Sequence, residues 1–201
     1  GGPGPWASRE HRSVAGPPPA ASDVVTCVDH AVDVPAQVSV NCDLPVFVFV
    51  HTFAGIRRFG DLLYWLEYFC QQFSFRSCVM SFDPVIDRAH DMLSDEFFSD
   101  LRELCYSGCV FGYHGGPVCA TWSPALWKRP GPQPLRTRQS LFGKQGLSLA
   151  DKNKCDRGSE LFLRHVDLKA GVLLGGGRAT TEHPADRKSE PFASVFVTPQ
   201  M

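Results

Sequence analysis

No stretch of this 201-residue chain stays apolar for the roughly 20 residues that a membrane-spanning helix needs. A surplus of one charge is missing as well. The 20 Lys and Arg against 21 Asp and Glu leave a net charge of −1, so any polyanion contact must come from a local patch rather than the field of the whole molecule. No internal repeat is present, and closely paired cysteines of the zinc-finger kind are absent. The start lacks a charged segment followed by an apolar one, so no secretory leader is read. Opening on Gly1, the chain reads as a fragment or a processed piece. Its eight cysteines are irregularly spaced, and Cys70, Cys78 and Cys109 sit in apolar runs. That pattern speaks for reduced thiols in an intracellular protein rather than a disulfide framework.

What the chain does contain is 43% hydrophobic residues, enough for one real core and a single domain. Residues 1–43 read as a disordered or poorly ordered arm. Gly16-Pro17-Pro18-Pro19 lies at the centre of its Gly/Pro/Ala/Ser-rich first part, and Val-rich scraps broken by Pro35 could add an edge strand. From Leu44 to Thr52 the short β-branched and aromatic run is the best strand, apolar enough to be covered on both faces. Asp61–Phe73 carries Leu62, Trp65, Leu66 and Phe69 at helical spacing, and its aromatic run reads as core and helix packing. Ser77–Phe82 predicts a second buried strand, and Ser94 an N-cap for a helix reaching about Tyr106. Cys109–Tyr113 predicts a third strand. After an irregular stretch from Pro124 to about Ser148, a helix is expected over 152–170 and a fourth strand within 172–181. The alternation predicts an α/β fold with a doubly wound, mostly parallel sheet. The domain is expected to span 44–186, with an uncertain tail at 187–201.

Open α/β sheets bind ligands beyond the carboxyl ends of their strands. In chain order those ends carry Phe53-Ala54-Gly55-Ile56, then Asp83 followed by His90-Asp91-Met92, then Gly116-Pro117-Val118-Cys119-Ala120-Thr121-Trp122-Ser123, and finally Glu182-His183-Pro184. Cys119, between a stiff proline and flanking small residues, is a candidate nucleophile or an ordinary structural thiol. Asp83 can hold two ribose hydroxyls, as acids at this position do in dinucleotide sites, or simply start an Asp-Pro turn.

Taken in order, these segments resemble the DNA (cytosine-5-)methyltransferases. The first is similar to the family's F-A-G-I-G-G cofactor turn, the third to its G-P-P-C-Q-x-F-S nucleophile loop, and the last to E-N-V. The resemblance covers roughly residues 44–186 and implies a Rossmann-like methyltransferase fold, incomplete at its C-terminal end. It also implies S-adenosylmethionine as cofactor and DNA as partner, with no membrane and no metal, in the nucleus if DNA is the substrate. Phe53, Ala54, Gly55, Asp83, Asp91 and Pro117 would then hold the cofactor, Asp91 meeting the adenine. Cys119 would attack the ring carbon next to the methylated one, and Glu182 would hold the ring nitrogen opposite.

The chain also departs from the pattern. Arg57 and Arg58 replace two glycines of the cofactor turn, and Val118, Ala120 and Trp122 replace family residues around Cys119. The later base-contacting and target-recognition motifs have no counterpart here. A second reading therefore stands beside the first: a catalytically inactive methyltransferase-like domain from a decayed or mobile-element-derived reading frame, one that binds nucleic acid or does nothing. No acidic residue falls between Glu103 and Asp151, while Lys128, Arg129, Arg136, Arg138 and Lys144 do. That loop could follow a DNA backbone or be merely solvated. Two lesser readings are a zinc site from Cys105, Cys109, His114 and Cys119, and a thiol hydrolase dyad of Cys119 with His183.

Overall fold

The computed structural model describes residues 46–73, 75–128 and 130–198. The expected N-terminal arm and Arg129 lie outside them. Four parallel strands, β1 (Val46–Thr52), β2 (Arg76–Phe82), β3 (Val110–Gly115) and β4 (Arg178–Thr181), form one sheet in the order β2-β1-β3-β4. Three helices, α1 (Leu62–Gln72), α2 (Asp95–Tyr106) and α3 (Leu149–Leu174), make the crossovers. The fold is α/β with an all-parallel sheet, as the alternation of apolar runs and amphipathic stretches predicts.

Each helix begins where a side chain can satisfy its first free amides. Asp61 accepts from Tyr64 N–H, Ser94 from Phe97 N–H, and Ser148 from Asp151 N–H. The central cluster joins Val50, Phe82, Val110 and Tyr113 of the sheet to Leu101 and Cys105 of α2 and Leu168 and Val172 of α3. These side chains share one sheet face, since Val48, Val50 and Thr52 alternate with Phe47, Phe49 and His51. α1 takes no part in that cluster and packs instead against β2. Its rings are less covered than a core role requires: Trp65, Phe69 and Phe73 are exposed. Phe111 bulges from β3, because Val48 pairs with Val110 and Phe49 with Gly112.

Two boundaries differ from expectation. Val172–Leu174, expected in the fourth strand, form the last turn of α3. Val172 falls four residues after Leu168 on the helix face that meets the core, and this packing overrides its β-branched preference. The chain also keeps folding past Asp186. Ala193 and Val195 are buried with Trp122 and Phe162 in a second cluster, so the segment to Thr198 belongs to the domain.

Candidate active site at the carboxyl ends of the strands

The turn after β1 is the most strained point of the backbone at this end of the sheet. Phe53 has φ 58°, which bulky residues seldom adopt, and Gly55 follows at φ 66°. The turn is fastened to β2 through Asp83, only 9% exposed. One carboxylate oxygen accepts from Gly55 N–H at 3.0 Å and the other from Val85 N–H at 2.7 Å. Ala54 N–H reaches the Phe82 carbonyl at 3.4 Å. Arg57 folds back toward α1. Its guanidinium pairs with Asp61 at 3.4 Å and Glu67 at 3.5 Å. Asp91 lies further on, ahead of α2, and accepts from Leu93 N–H at 2.9 Å.

β3 and β4 leave the sheet side by side, and Glu182 N–H donates to the Gly115 carbonyl at 3.0 Å. A Cβ at Gly116 would lie 3.8 Å from Glu182 Oε2, so this carboxylate stands over the start of the Cys119 loop. Pro117 is buried, while Cys119 is half-buried beside the exposed Val118. The Cys119 carbonyl accepts from Trp122 N–H and Ser123 N–H, both at 2.9 Å, which turns the loop sharply. Seven sequence-predicted residues thus gather at one end of the sheet: Phe53, Ala54, Gly55, Asp83, Pro117, Cys119 and Glu182.

The expected phosphate contacts are largely corrected. Arg136 is 1% exposed and points inward. Its guanidinium donates to Thr121 Oγ1, the Leu141 carbonyl, Ser159 Oγ and the Cys155 carbonyl, and lies 4.0 Å from the centre of the Trp122 ring. Four neutral acceptors and an indole face compensate a cation that has lost its water, and burial still lowers its pKa to about 10. Arg136 is therefore a brace for the Cys119 loop, not a free charge beside it. Arg138 pairs with Asp186 at 2.8 Å. Lys128, at the end of a short 3₁₀ turn, stays exposed.

A polar chain missed at the sequence level runs beneath the site. Thr52 Oγ1 meets Tyr113 Oη at 2.9 Å, Tyr113 Oη meets His165 Nδ1 at 2.8 Å, and His165 Nε2 meets Thr181 Oγ1 at 2.9 Å. It ties the ends of β1, β3 and β4 to α3. Burial lowers the His165 pKa to about 3, with Lys169, His114 and His183 adding to the effect, while burial raises that of Tyr113. Gly115 makes the chain possible, since a Cβ there would come within 2.6 Å of both His165 Nδ1 and Thr52 Oγ1. One signal was available: His165 lies in step with Phe162, Leu168 and Val172 on the apolar face of α3.

His183 sits half-buried against the edges of Trp122 and Phe196, and burial lowers its pKa to about 4. Its ring is occupied with packing rather than paired to the Cys119 thiol as a dyad would need. The zinc reading is corrected too. Cys105 is fully buried in the central cluster, where loss of water raises its thiol to about 12. Among the described residues no group of three or more His, Cys, Asp or Glu is placed to hold a metal ion. Among them, too, no helix is long and apolar enough to cross a membrane. No family model, curated protein or solved structure matches the chain.

Proposed function

We propose that this chain is a Rossmann-like methyltransferase domain that transfers a methyl group from S-adenosylmethionine to carbon 5 of cytosine in DNA. One observation carries the reading. The strained turn of β1, the acid of β2, the cysteine loop of β3 and the glutamate of β4 meet at one sheet end, joined by the Gly55–Asp83 and Gly115–Glu182 hydrogen bonds.

The residues present fit the cofactor. A Cβ at Gly55 would meet nothing within 4 Å, so a ligand can approach the turn closely. Arg57 is held aside by Asp61 and Glu67. Asp83 keeps two of its roughly four lone-pair sites for hydroxyl donors. Phe53, Ala54, Gly55, Asp83, Asp91 and Pro117 are the residues that would hold the group. When bound, it supplies an electrophilic methyl on a sulfonium.

Carbon 5 of cytosine is too electron-poor to take that methyl unaided. The Cys119 thiolate adds to the neighbouring ring carbon and makes carbon 5 nucleophilic. Glu182 takes up a proton from water as the base docks and donates it to the ring nitrogen across from it, offsetting the negative charge that thiolate addition would leave there. Once carbon 5 carries the methyl, loss of its proton to water re-forms the ring double bond and expels the thiolate. The base must leave the duplex for these contacts, at a cost of a few kcal/mol.

A second reading, the inactive domain, is favoured by two observations: Asp83 already accepts two backbone amides, and Arg136 is buried while Arg138 is paired with Asp186. A titration with labelled S-adenosylmethionine separates the two. Saturable binding is expected, and its absence leaves the inactive domain standing. DNA carrying 5-fluorocytosine then tests the chemistry, because fluorine cannot leave as a cation and the thiol adduct persists. The wild-type chain should form a covalent complex and Cys119→Ser should form none; an equal yield from both removes Cys119 from its role.

A further inference from the structure

Just below the carboxyl ends, a polar row crosses the sheet face opposite the central cluster. Ser81 of β2 is in register with His51 of β1, His51 with His114 of β3, and His114 with Thr180 of β4. The His51 and His114 rings meet edge to face with centroids 5.1 Å apart. Thr180 Oγ1 lies 2.8 Å from His114 Nδ1, and His114 Nε2 lies 3.8 Å from Glu182 Oε2.

A neutral imidazole has one donor nitrogen and one acceptor nitrogen. An ionised carboxylate can only accept, so the proton belongs on Nε2, facing Glu182. Nδ1 is then left to accept the Thr180 hydroxyl. This tautomer satisfies both neighbours, whereas the other sets a lone pair of Nε2 against the carboxylate. Glu182 needs such guidance. Its side chain is 83% exposed, and its hydrogen bond to Gly115 runs through the backbone. Left free, it would spend its time among several rotamers in water.

We propose that His114 is a positioning residue for Glu182, an imidazole locked by Thr180 that steers the carboxylate over the Cys119 loop. Its catalytic consequence rests on the methyl-transfer reading, but the pair stands on geometry alone. Burial holds the His114 pKa low, and the Glu182 carboxylate pulls it the other way. His51 is the titratable neighbour on the other side. Burial, reinforced by His114, lowers its pKa to about 4 against the opposing pull of Asp61 and Asp83. On the far side of the sheet, His165 is also kept neutral, in part by the charge His114 would carry. At neutral pH the carboxylate therefore faces an uncharged ring.

Nitrogen-15 NMR of the histidines in the full chain tests the pair without turnover. His114 should be the Nε2–H tautomer at pH 7, and Thr180→Val should mix the tautomers. Glu182→Gln, on a solvent-facing side chain that leaves the fold intact, should lower the His114 pKa by about 0.8, the water-screened attraction of unit charges at this separation. An unchanged His114 titration in Glu182→Gln, or an Nδ1–H tautomer in the wild type, overturns the proposal. If the expected shift appears in a chain that binds no S-adenosylmethionine, the pair is upheld and the proposed reaction is the part that fails. In an active chain, His114→Gln should lower kcat severalfold and flatten its pH profile, with KM for S-adenosylmethionine unchanged.

Discussion

Acid should loosen this domain through His165 before most carboxylates titrate. The ring is fully buried between Tyr113 and Thr181, and its pKa of about 3 is far below the 6.5 of an exposed histidine. A histidine depressed in the folded state binds its proton more readily once unfolded. Its contribution to stability is therefore complete above pH 6.5 and is lost as the pH falls toward 3. Between pH 7 and pH 5 the unfolded chain gains a roughly 25-fold protonation advantage at this one site, about 2 kcal/mol. Urea unfolding at both pH values, on the wild type and on His165→Gln, reads that quantity as a difference of differences. His51 and His183, each lowered to about 4, act in both proteins and cancel. The wild type should lose about 2 kcal/mol more than the variant. Equal losses, or an NMR titration of His165 near 6.5, would refute the argument that burial keeps this ring neutral.

Two further outcomes follow from packing. Gly115→Ala should lower stability by about 1–3 kcal/mol, because its Cβ would sit 2.6 Å from His165 and Thr52. Gly116→Ala, whose nearest contact would be 3.6 Å, should melt close to the wild type in the same thermal scan. Arg136→Met should cost about 2–4 kcal/mol by chemical denaturation, since Thr121 and the Leu141 carbonyl lose a charged donor in the interior. Lys128→Met at the exposed end of the neighbouring turn should stay within about 0.5 kcal/mol.

The sheet was legible in the sequence because LPVFVFVHT and SCVMSF are nearly continuous apolar runs, short enough to be nothing else. The cover expected on both faces of β1 is complete on neither: Val50 and Thr52 are buried on one, while Phe47, Phe49 and His51 are only half-buried on the other. Ser94 announced its helix through its capping chemistry. The candidate site was legible as an order of segments, since a parallel sheet carries every strand end to the same side. What stayed hidden depends on direction in space. Arg136 and Lys128 look alike in a loop without acids, and only the fold shows that one guanidinium turns in to meet Thr121 and Ser159. The links of the Thr52–Tyr113–His165–Thr181 chain each span 16 to 61 positions, so no local pattern marks it. The end of α3 was misplaced because Val172-Leu173-Leu174 suits either a strand or a helix, and burial against the core decides between them.

The cation sunk beneath Trp122 makes the cysteine-bearing segment a poor candidate for simple transplantation. Thr121 and Trp122 are shaped around a guanidinium that arrives from fifteen residues downstream and also grips α3 through Ser159 and the Cys155 carbonyl. Swapping the segment between scaffolds without that arginine and its helix would leave an indole face and a hydroxyl with nothing to wrap, and the thiol would drift with them.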